Sequence, residues 1–328
     1  MDHIIGIDGG GTKTLALVAD LRGKILGLGL STGSNYHAVG LENAIKAIND
    51  ASQQAISNAK TSNIKSACFG LAGAGRQNDY EIIYPQLLNL RIADKILLKH
   101  DAFIALAGAT ICQHGVIVIA GTGSMAFGIN QSGFEERSGG WGYLLGDEGS
   151  AYYISRQALS FACKAFDGRG NKTSLLNAII VHFGLEDFTQ IVKKIYSKEF
   201  SPKDIASIAP IVTLQAGLDD KIALEILRDS AYELALSAKS VIRKLKMTDE
   251  KVLVAICGSV FDAGGLLLKY FRENIKSDFP LAEIISPKFK PVTGALLLAL
   301  REIGIKPSNE IIDNLTKGEI LIEKSYNV

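Results

Sequence analysis

Cysteine is scarce in this sequence, and the few cysteines follow no ligand pattern. Only four of the 328 residues are cysteine, with no C-x-x-C pair, and the five histidines form no H-x-x-x-H or Cys/His cluster. This spacing disfavours a zinc ribbon, a local iron–sulfur motif and a disulfide framework. We expect reduced, mostly buried thiols and no metal held by His and Cys ligands.

An excess of charge of one sign is also missing. The chain has 35 Lys and Arg against 34 Asp and Glu, so no global field gathers polyanions. The longest apolar runs, residues 116–120 and 295–300, fall far short of the roughly 18 residues that span a bilayer. The N-terminus has no basic segment typical of a cleaved signal. We therefore expect a cytoplasmic protein without nucleic-acid or membrane partners.

Length and composition indicate a folded chain of two domains. A typical domain of about 150 residues would fit twice into 328 residues. The hydrophobic share of 47% and the charged share of 21% exclude disordered and fibrous classes. We assign residues 1–115 to the first domain and 116–305 to the second, with a helical insertion at about 150–246. The tail, residues 306–328, could return to pack on the first domain.

Alternating strand and helix patterns predict a mixed α/β architecture. Short apolar runs bounded by turn residues predict strands at 4–7, 13–19, 25–30, 95–99, 116–120, 125–129 and 252–257, and one that ends near residue 70. Apolar residues at helical spacing predict helices at 41–59, 79–88, 221–245, 266–273 and 291–303.

Two glycine turns open the two halves of the chain. Residues 9–14 and 121–124 each join two predicted strands, which hints at duplication of one architecture. Glycine permits the positive φ that lets N–H groups surround a phosphate, and the hydroxyls of Thr12 and Thr14 would complete such a cradle. The first turn is not a P-loop, because no helix follows at once. The second is followed by a strand, which argues against a Rossmann site.

Six segments together resemble a known group. In order they are residues 8–14, 71–75, Asp101, 120–124, 139–150 and 257–261. The chain is similar to the N-acetylglucosamine kinase branch of the actin-like sugar kinases, to archaeal hexokinases and to the BadF/BadG/BcrA/BcrD ATPase family. The resemblance implies two ribonuclease-H-like (actin-like ATPase) domains with an interdomain cleft that takes Mg²⁺, ATP and a sugar, in a homodimer.

The resemblance also implies a role for individual residues. Asp8 would handle Mg²⁺, and Asp101 would be the general base, although Asp101 could also be only a helix N-cap. The implied ATP-binding residues are Asp8, Gly10, Gly11, Thr12, Lys13, Thr14, Gly121, Thr122, Gly123, Ser124, Gly258 and Ser259. The implied sugar-binding residues are Ser34, Asn35, Gly140, Trp141, Asp147 and Glu148. Trp141 could instead be a core or hinge anchor.

The leading hypothesis is a kinase that phosphorylates the 6-hydroxyl of N-acetylglucosamine or a related hexose. A broad-specificity hexokinase or glucokinase is the first alternative, because residues 33–37 look more like the archaeal hexokinases. A BadF-type ATPase without sugar kinase activity is the second alternative. The cluster-bearing activators of that group are disfavoured by the absence of closely placed cysteines. ROK-type glucokinases lack support because the cysteine-rich zinc motif is missing.

Overall fold

The protein forms two units, each built on one five-stranded sheet. The computed structural model describes residues 2–262 and 265–326. Unit 1 contains the chain up to Gln113 and the stretch that begins at Pro287, and unit 2 contains His114–Ser286. The expected mixed α/β class is confirmed.

Unit 1 begins with strands and helices in alternation. Its elements are β1 (His3–Gly9), β2 (Lys13–Asp20), β3 (Ile25–Thr32), α1 (Tyr36–Val39), α2 (Leu41–Asn58), β4 (Ile64–Leu71), α3 (Gln77–Asn89), β5 (Lys95–His100) and α4 (Asp101–Thr110). The strand order is β3-β2-β1-β4-β5, antiparallel among the first three strands and parallel from β1 through β4 to β5. Because parallel strands end at the same sheet edge, the C-terminal ends of β1 and β5 face the same side.

Unit 2 repeats this arrangement with a larger helical part. Its elements are β6 (Gly115–Ala120), β7 (Ser124–Ile129), β8 (Glu135–Gly139), α5 (Ala151–Phe166), α6 (Leu175–Phe183), a 3₁₀ turn (Phe188–Gln190), α7 (Ile191–Ile195), α8 (Pro202–Ala206), α9 (Ala209–Gly217), α10 (Lys221–Lys244), β9 (Leu253–Cys257), α11 (Ser259–Asp262), α12 (Gly265–Asp278) and β10 (Glu283–Ile285). The strand order is β8-β7-β6-β9-β10, with the same pattern of directions as in unit 1. Both sheets therefore place their strands in the order third, second, first, fourth, fifth.

Two helices near the end of the chain complete unit 1. They are α13 (Pro291–Glu302) and α14 (Asn309–Tyr326). The prediction placed residues up to 305 in the second domain, whereas the structure places α13 in unit 1. The physical reason is close packing, because a Cβ on Gly6 of β1 would lie only 2.6 Å from the backbone nitrogen of Leu296.

The tail that follows also packs within unit 1. Ile311 and Leu315 of α14 are buried in the same cluster as Ile4 and Leu17 of the sheet. The last two residues of the predicted tail, 327 and 328, lie outside the described residues.

The sheet of unit 1 is covered on both faces. Ile4 packs with α4, α13 and α14 on one face, whereas Ile5 and Ile7 pack with α2 and α3 on the other. Successive side chains of a strand point to opposite faces, so the stretch from Ile4 to Ile7 of β1 carries no polar side chain. Gly27 and Gly29 of β3 let α2 approach, because a Cβ at Gly29 would lie 1.9 Å from the Ala51 carbonyl oxygen.

Within the described residues, the structure contains no single helix that could cross a membrane and no disulfide bond. No single described helix has the length and apolar character to cross a membrane, although Leu175–Phe183 and Phe188–Ile195, bent by 65°, reach that length and composition as a pair. All four cysteines lie in the described part of the chain and form no disulfide; Cys68 is buried and the other three are partly buried.

Candidate active site

The first glycine turn has an exposed tip, and hydrogen bonds of Gly10 fix the backbone at its start. The Gly10 N–H donates to the Lys13 carbonyl at 2.9 Å, and the Gly10 carbonyl accepts from the Ser34 N–H at 2.9 Å. Gly11, Thr12 and Lys13 are exposed, and the space around Gly11 is open. The turn therefore offers backbone N–H groups, the Thr12 hydroxyl and the Lys13 ammonium to a ligand.

Thr14 and Ser34 do not belong to that exposed surface. Both side chains are buried. The Thr14 hydroxyl lies 2.7 Å from the Thr32 carbonyl oxygen and 2.9 Å from the Ser34 hydroxyl. Both hydroxyls hold the loop after β3 against the glycine turn, and the predicted contacts of Thr14 with ATP and of Ser34 with the sugar stay predictions.

Two carboxylates converge at the edge of the sheet beside this turn. Asp8 is level with Gly70 on β4, which is level with Lys99 on β5, and Asp101 begins α4 directly after β5. Burial, and then the charge of Asp101, raise the pKa of Asp8 to about 6, while Lys13 opposes the shift. Burial also raises the pKa of Asp101, against the Ala102 and Asp101 N–H groups, which favour the ionised carboxylate. The two acids are therefore near enough to disfavour a double negative charge.

Asp101 is not the N-cap of α4. That position is held by His100, whose ring Nδ1 accepts a hydrogen bond from the Phe103 N–H at 3.2 Å. Asp101 is the first helical residue, and its Oδ1 accepts from the Ala102 N–H at 2.9 Å. The alternative in which Asp101 serves only as the N-cap is therefore wrong, because His100 caps the helix and the carboxylate of Asp101 is partly buried without that role.

We expect Asp8→Asn to stabilise the ligand-free protein at pH 7 to 8. Because the folded-state pKa of Asp8 lies above its ordinary value of 3.8, the folded state holds this proton more tightly, and stability falls as the pH rises from about 4 to about 6. Above that window the cost is about 3 kcal/mol, which an uncharged asparagine removes. Thermal denaturation in EDTA should show a higher Tm than wild type at pH 7.5 and no gain at pH 4.

The matched control for this prediction is Asp50→Asn. Asp50 is half exposed on α2, where it pairs with Lys46. Its replacement should leave the pH dependence of the Tm unchanged. A Tm of Asp8→Asn at or below the wild-type value at pH 7.5 would show that the ionised carboxylate of Asp8 does not destabilise the folded protein.

Asn35 lies in the loop that follows β3. It caps α1, and its Oδ1 accepts from the His37 N–H at 3.1 Å. Gly73, in the loop after β4, sits directly against it, since a Cβ there would lie 2.8 Å from Asn35 Oδ1. With its Oδ1 engaged, the Asn35 amide nitrogen is the group that can donate to a ligand.

The second glycine turn, in unit 2, repeats the design of the first. The Gly121 N–H donates to the Gly123 carbonyl at 2.9 Å, and the Gly121 carbonyl accepts from the Ala151 N–H at 2.8 Å. Thr122 is exposed at the tip. Ser124 is buried and its hydroxyl donates to the Glu148 carbonyl at 2.7 Å, and its predicted contact with ATP stays a prediction.

Asp147 is packed against this second turn. Its φ is +60°, in the left-handed region, and its side chain is buried. Its Oδ1 accepts from the Gly142 N–H at 3.2 Å, and a Cβ on Gly123 would lie 2.6 Å from its Oδ2. Burial raises the pKa of Asp147, while N–H groups of Gly142 and Ser124 oppose the shift. Asp147 thus orders the loop of residues 140–146, and the neighbouring Glu148 is exposed.

The loop of residues 140–146 presents apolar side chains to solvent. The Gly140 N–H donates to the Ser124 carbonyl at 3.0 Å, and its φ of +70° favours glycine. Trp141 is 58% exposed, with the Arg137 guanidinium 5.2 Å from its ring centre. The alternative in which Trp141 anchors a core is therefore wrong.

A pocket of about 270 Å³ opens beside the second turn within unit 2. It brings together Thr122 and Ser259 from two predicted segments. Gly258 makes this possible, because a Cβ there would lie 2.4 Å from the Ala120 carbonyl oxygen. The remaining wall comes mainly from α5, α8 and α9: Ala151, Ile154, Lys203, Ala206, Ser207, Ala209, Pro210 and Thr213.

Sequence reasoning missed the helical wall of this pocket. The prediction described residues 150–246 only as a helical insertion. The one local signal was a proline at the start of each of two short helices, Pro202 in α8 and Pro210 in α9. Spacing along the chain could not show that these helices face Thr122.

The donors present fit Mg²⁺ bound together with phosphate oxygens. Among residues 2–262 and 265–326, no three or more His, Cys, Asp or Glu side chains gather as a metal cage. Mg²⁺ usually takes one or two carboxylates and completes its shell with water and substrate phosphates. Asp8, next to the exposed first turn, supplies a carboxylate of that kind.

Known proteins are similar to this chain over most of its length. The chain is 35% identical over 304 residues to an N-acetylmuramic acid/N-acetylglucosamine kinase of Clostridium acetobutylicum, which covers 92% of this chain and 99% of the relative. It is 35% identical over 310 residues to an N-acetyl-D-glucosamine kinase of Dictyostelium discoideum, with 90% and 97% covered. The crystal structure of a candidate N-acetylglucosamine kinase from Chromobacterium violaceum superposes with a TM-score of 0.70 at 26% identity and covers 90% of this chain and 98% of that one.

A protein family also matches most of this chain. Residues 5–299 match the BadF/BadG/BcrA/BcrD ATPase family, a span that includes both glycine turns, the two carboxylates beside the first turn and the pocket beside the second. The protein with these two equivalent sheets is therefore a member of the BadF/BadG/BcrA/BcrD ATPase family.

Proposed function

We propose that this protein is an ATP-dependent sugar kinase that transfers the γ-phosphoryl group of ATP to the 6-hydroxyl of N-acetylglucosamine or a closely related hexose. The observation that carries the proposal is the pair of partly buried carboxylates, Asp8 and Asp101, whose pKa values are both raised, beside an exposed glycine turn. Phosphoryl transfer to an alcohol needs a base for the hydroxyl proton and charge neutralisation at the phosphates. The two relatives at 35% identity are named as kinases of N-acetylglucosamine, which supports a sugar kinase with this class of substrate.

Asp101 is the proposed general base. Burial raises its pKa, which makes the carboxylate a better proton acceptor than an exposed one. In the transfer step the carboxylate takes the proton of the sugar hydroxyl while the hydroxyl oxygen bonds to the γ-phosphorus. The bond between that phosphorus and the β–γ bridging oxygen breaks, and ADP leaves. Positioning at the start of α4 keeps the base on a rigid element.

Asp8, Lys13 and the first turn serve the phosphates. Mg²⁺ held near Asp8 would neutralise charge on the outer phosphate oxygens. The Lys13 ammonium, which faces Asp8 closely enough to lower its pKa, provides a point charge for the same oxygens. Gly11 and Thr12 are exposed residues with open space around Gly11, and their N–H groups would add donors for the phosphates.

Unit 2 supplies the proposed nucleotide pocket. The wall of the 270 Å³ pocket is mainly apolar and carries the hydroxyls of Thr122, Ser207, Thr213 and Ser259. Such a wall is suited to the adenine ring and the ribose of ATP. The exposed Trp141 and Glu148 are the proposed sugar contacts of this unit, and Asn35 is that of unit 1. A site that hydrogen-bonds sugar hydroxyls rejects compounds that lack them.

A coupled ADP-release assay tests the proposal. Mg²⁺-ATP would be supplied with N-acetylglucosamine, N-acetylmuramic acid, glucosamine, glucose, mannose or N-acetylmannosamine, and with no sugar as the control. We expect strong stimulation by N-acetylglucosamine and product phosphorylated at the 6-oxygen by NMR. Equal stimulation by glucose and mannose would support a broad-specificity hexokinase, and equal ADP release without sugar would support an ATPase of another kind.

A further inference from the structure

Asp79 is a buried carboxylate that the proposed reaction does not use. It is 6% exposed in the first turn of α3. Its Oδ2 accepts from the Arg76 N–H at 3.1 Å, and its Oδ1 accepts from the Tyr36 hydroxyl at 2.5 Å. The His37 Nε2 lies 3.2 Å from the same Oδ1. One carboxylate therefore joins the start of α3 to two consecutive residues of a different segment.

That segment carries Asn35. We call residues 33–37, which comprise the loop after β3 and the first two residues of α1, the Asn35 segment. At one end, the Ser34 N–H donates to the Gly10 carbonyl at 2.9 Å, which ties the segment to the first glycine turn. At the other end, Tyr36 and His37 reach Asp79, with their ring centroids 4.0 Å apart and their ring planes tilted by 35°. Asn35 lies between the two anchor points.

The Asn35 side chain is fixed by the same arrangement. Its Oδ1 accepts the His37 N–H, so its orientation depends on where His37 is held. Gly73 leaves room for both side chains, because a Cβ there would lie 2.8 Å from Asn35 Oδ1 and 3.0 Å from His37 Cδ2, and its φ of +85° favours glycine. A shift of His37 would therefore turn the Asn35 amide away from its ligand-facing direction.

We propose that Asp79 is a positioning residue, which acts through Tyr36 and His37 to hold the Asn35 amide in the orientation that binds the sugar. The inference rests on the proposed function, because the proposed function assigns Asn35 to the sugar. Asp79 itself is too deeply buried to touch a substrate. Hydrogen bonds to an ionised carboxylate are stronger than neutral ones, so this acid is suited to the task.

The first part of the test compares kinetic constants. Asp79→Asn should lower kcat/KM for the sugar by about tenfold or more, the effect of losing hydrogen bonds to a charged group. Tyr36→Phe, which keeps the ring, should give a smaller loss in the same direction and keeps the test valid if Asp79→Asn folds poorly. In both variants the KM for ATP should stay within about twofold of wild type. The matched control is Asp94→Asn, an exposed acid of unit 1 paired with Lys65, which should change neither constant.

The second part is a double-mutant cycle with Asn35→Ala. If Asp79 acts through Asn35, Asp79→Asn should cause no further loss of kcat/KM for the sugar once Asn35 is alanine. Losses that multiply independently, or a rise in the KM for ATP equal to that for the sugar, would overturn the positioning role and leave the kinase intact. Wild-type protein that no sugar stimulates would overturn the proposed function and the positioning role together.

Discussion

Asp101→Asn should lower kcat for sugar phosphorylation by about 10²–10⁴-fold, the usual contribution of a general base. Asparagine has the same shape, and its amide oxygen can still accept the Ala102 N–H at the start of α4. It cannot take the hydroxyl proton of the sugar. Sugar affinity should therefore change little, because the interaction lost is one made only in the transition state. Steady-state kinetics with isothermal titration of the sugar would separate the two quantities.

The control for Asp101 is again Asp50→Asn, with its half-exposed carboxylate on α2. Its kcat should match that of wild type. A near-normal kcat in Asp101→Asn would show that another group, or water, takes the proton. A parallel loss of kcat, sugar binding and Tm would instead indicate that the variant is misfolded.

Gly294→Ala should destabilise unit 1 by about 3 kcal/mol or more, a large value for adding one methyl group. A Cβ at Gly294 of α13 would lie 1.9 Å from the Ile104 carbonyl oxygen and 2.5 Å from the Gly108 nitrogen of α4. These are backbone atoms, so the clash is relieved only if the two helices separate. The clash therefore outweighs the gain of about 1 kcal/mol that alanine has over glycine in a helix.

Urea denaturation followed by circular dichroism would measure this effect as a lower midpoint concentration. Gly217→Ala is the matched control, since Gly217 ends α9 and no atom lies within 4 Å of a Cβ placed there. That variant should be as stable as wild type or slightly more stable. If Gly294→Ala also matched wild type, the close approach of α4 and α13 would be wrong.

The local elements of this fold could be predicted from the sequence because their signals are local. A glycine cluster between two apolar runs indicates strand, turn and strand, and both such units formed as β1 with β2 and β6 with β7. The repeated strand order of the two sheets agrees with the duplication suggested by the two turns. The strand β10, of three residues, was missed because so short a run has no period to detect.

The boundary between the units could not be read in the same way. The apolar run 295–300 predicts a helix, and α13 formed there. Which sheet the helix packs on depends on contacts that are distant in the sequence, such as those of Gly6 and Gly108. The prediction kept this helix in the second domain, whereas the long-range packing places it in the first.

The burial of single hydroxyls was equally hidden. Thr14 was expected to face a phosphate, yet its side chain is buried and its hydroxyl lies 2.7 Å from the Thr32 carbonyl oxygen and 2.9 Å from the Ser34 hydroxyl. Ser124 occupies the corresponding place after the second turn and is also buried. Thr12 and Thr122, at the tips of the two turns, are exposed as expected.

The return of α13 to the first sheet sets an order of assembly during synthesis. Domains fold as units as they leave the ribosome. Unit 2 is one continuous stretch, His114–Ser286, and has all its strands before α13 is made. Unit 1 must wait, because Ile4, Leu17 and Cys68 stay uncovered until Leu296 and its neighbours arrive. The half of the chain that is translated first is therefore the half that matures last, and a nascent chain stalled before residue 290 should present an apolar sheet face to chaperones.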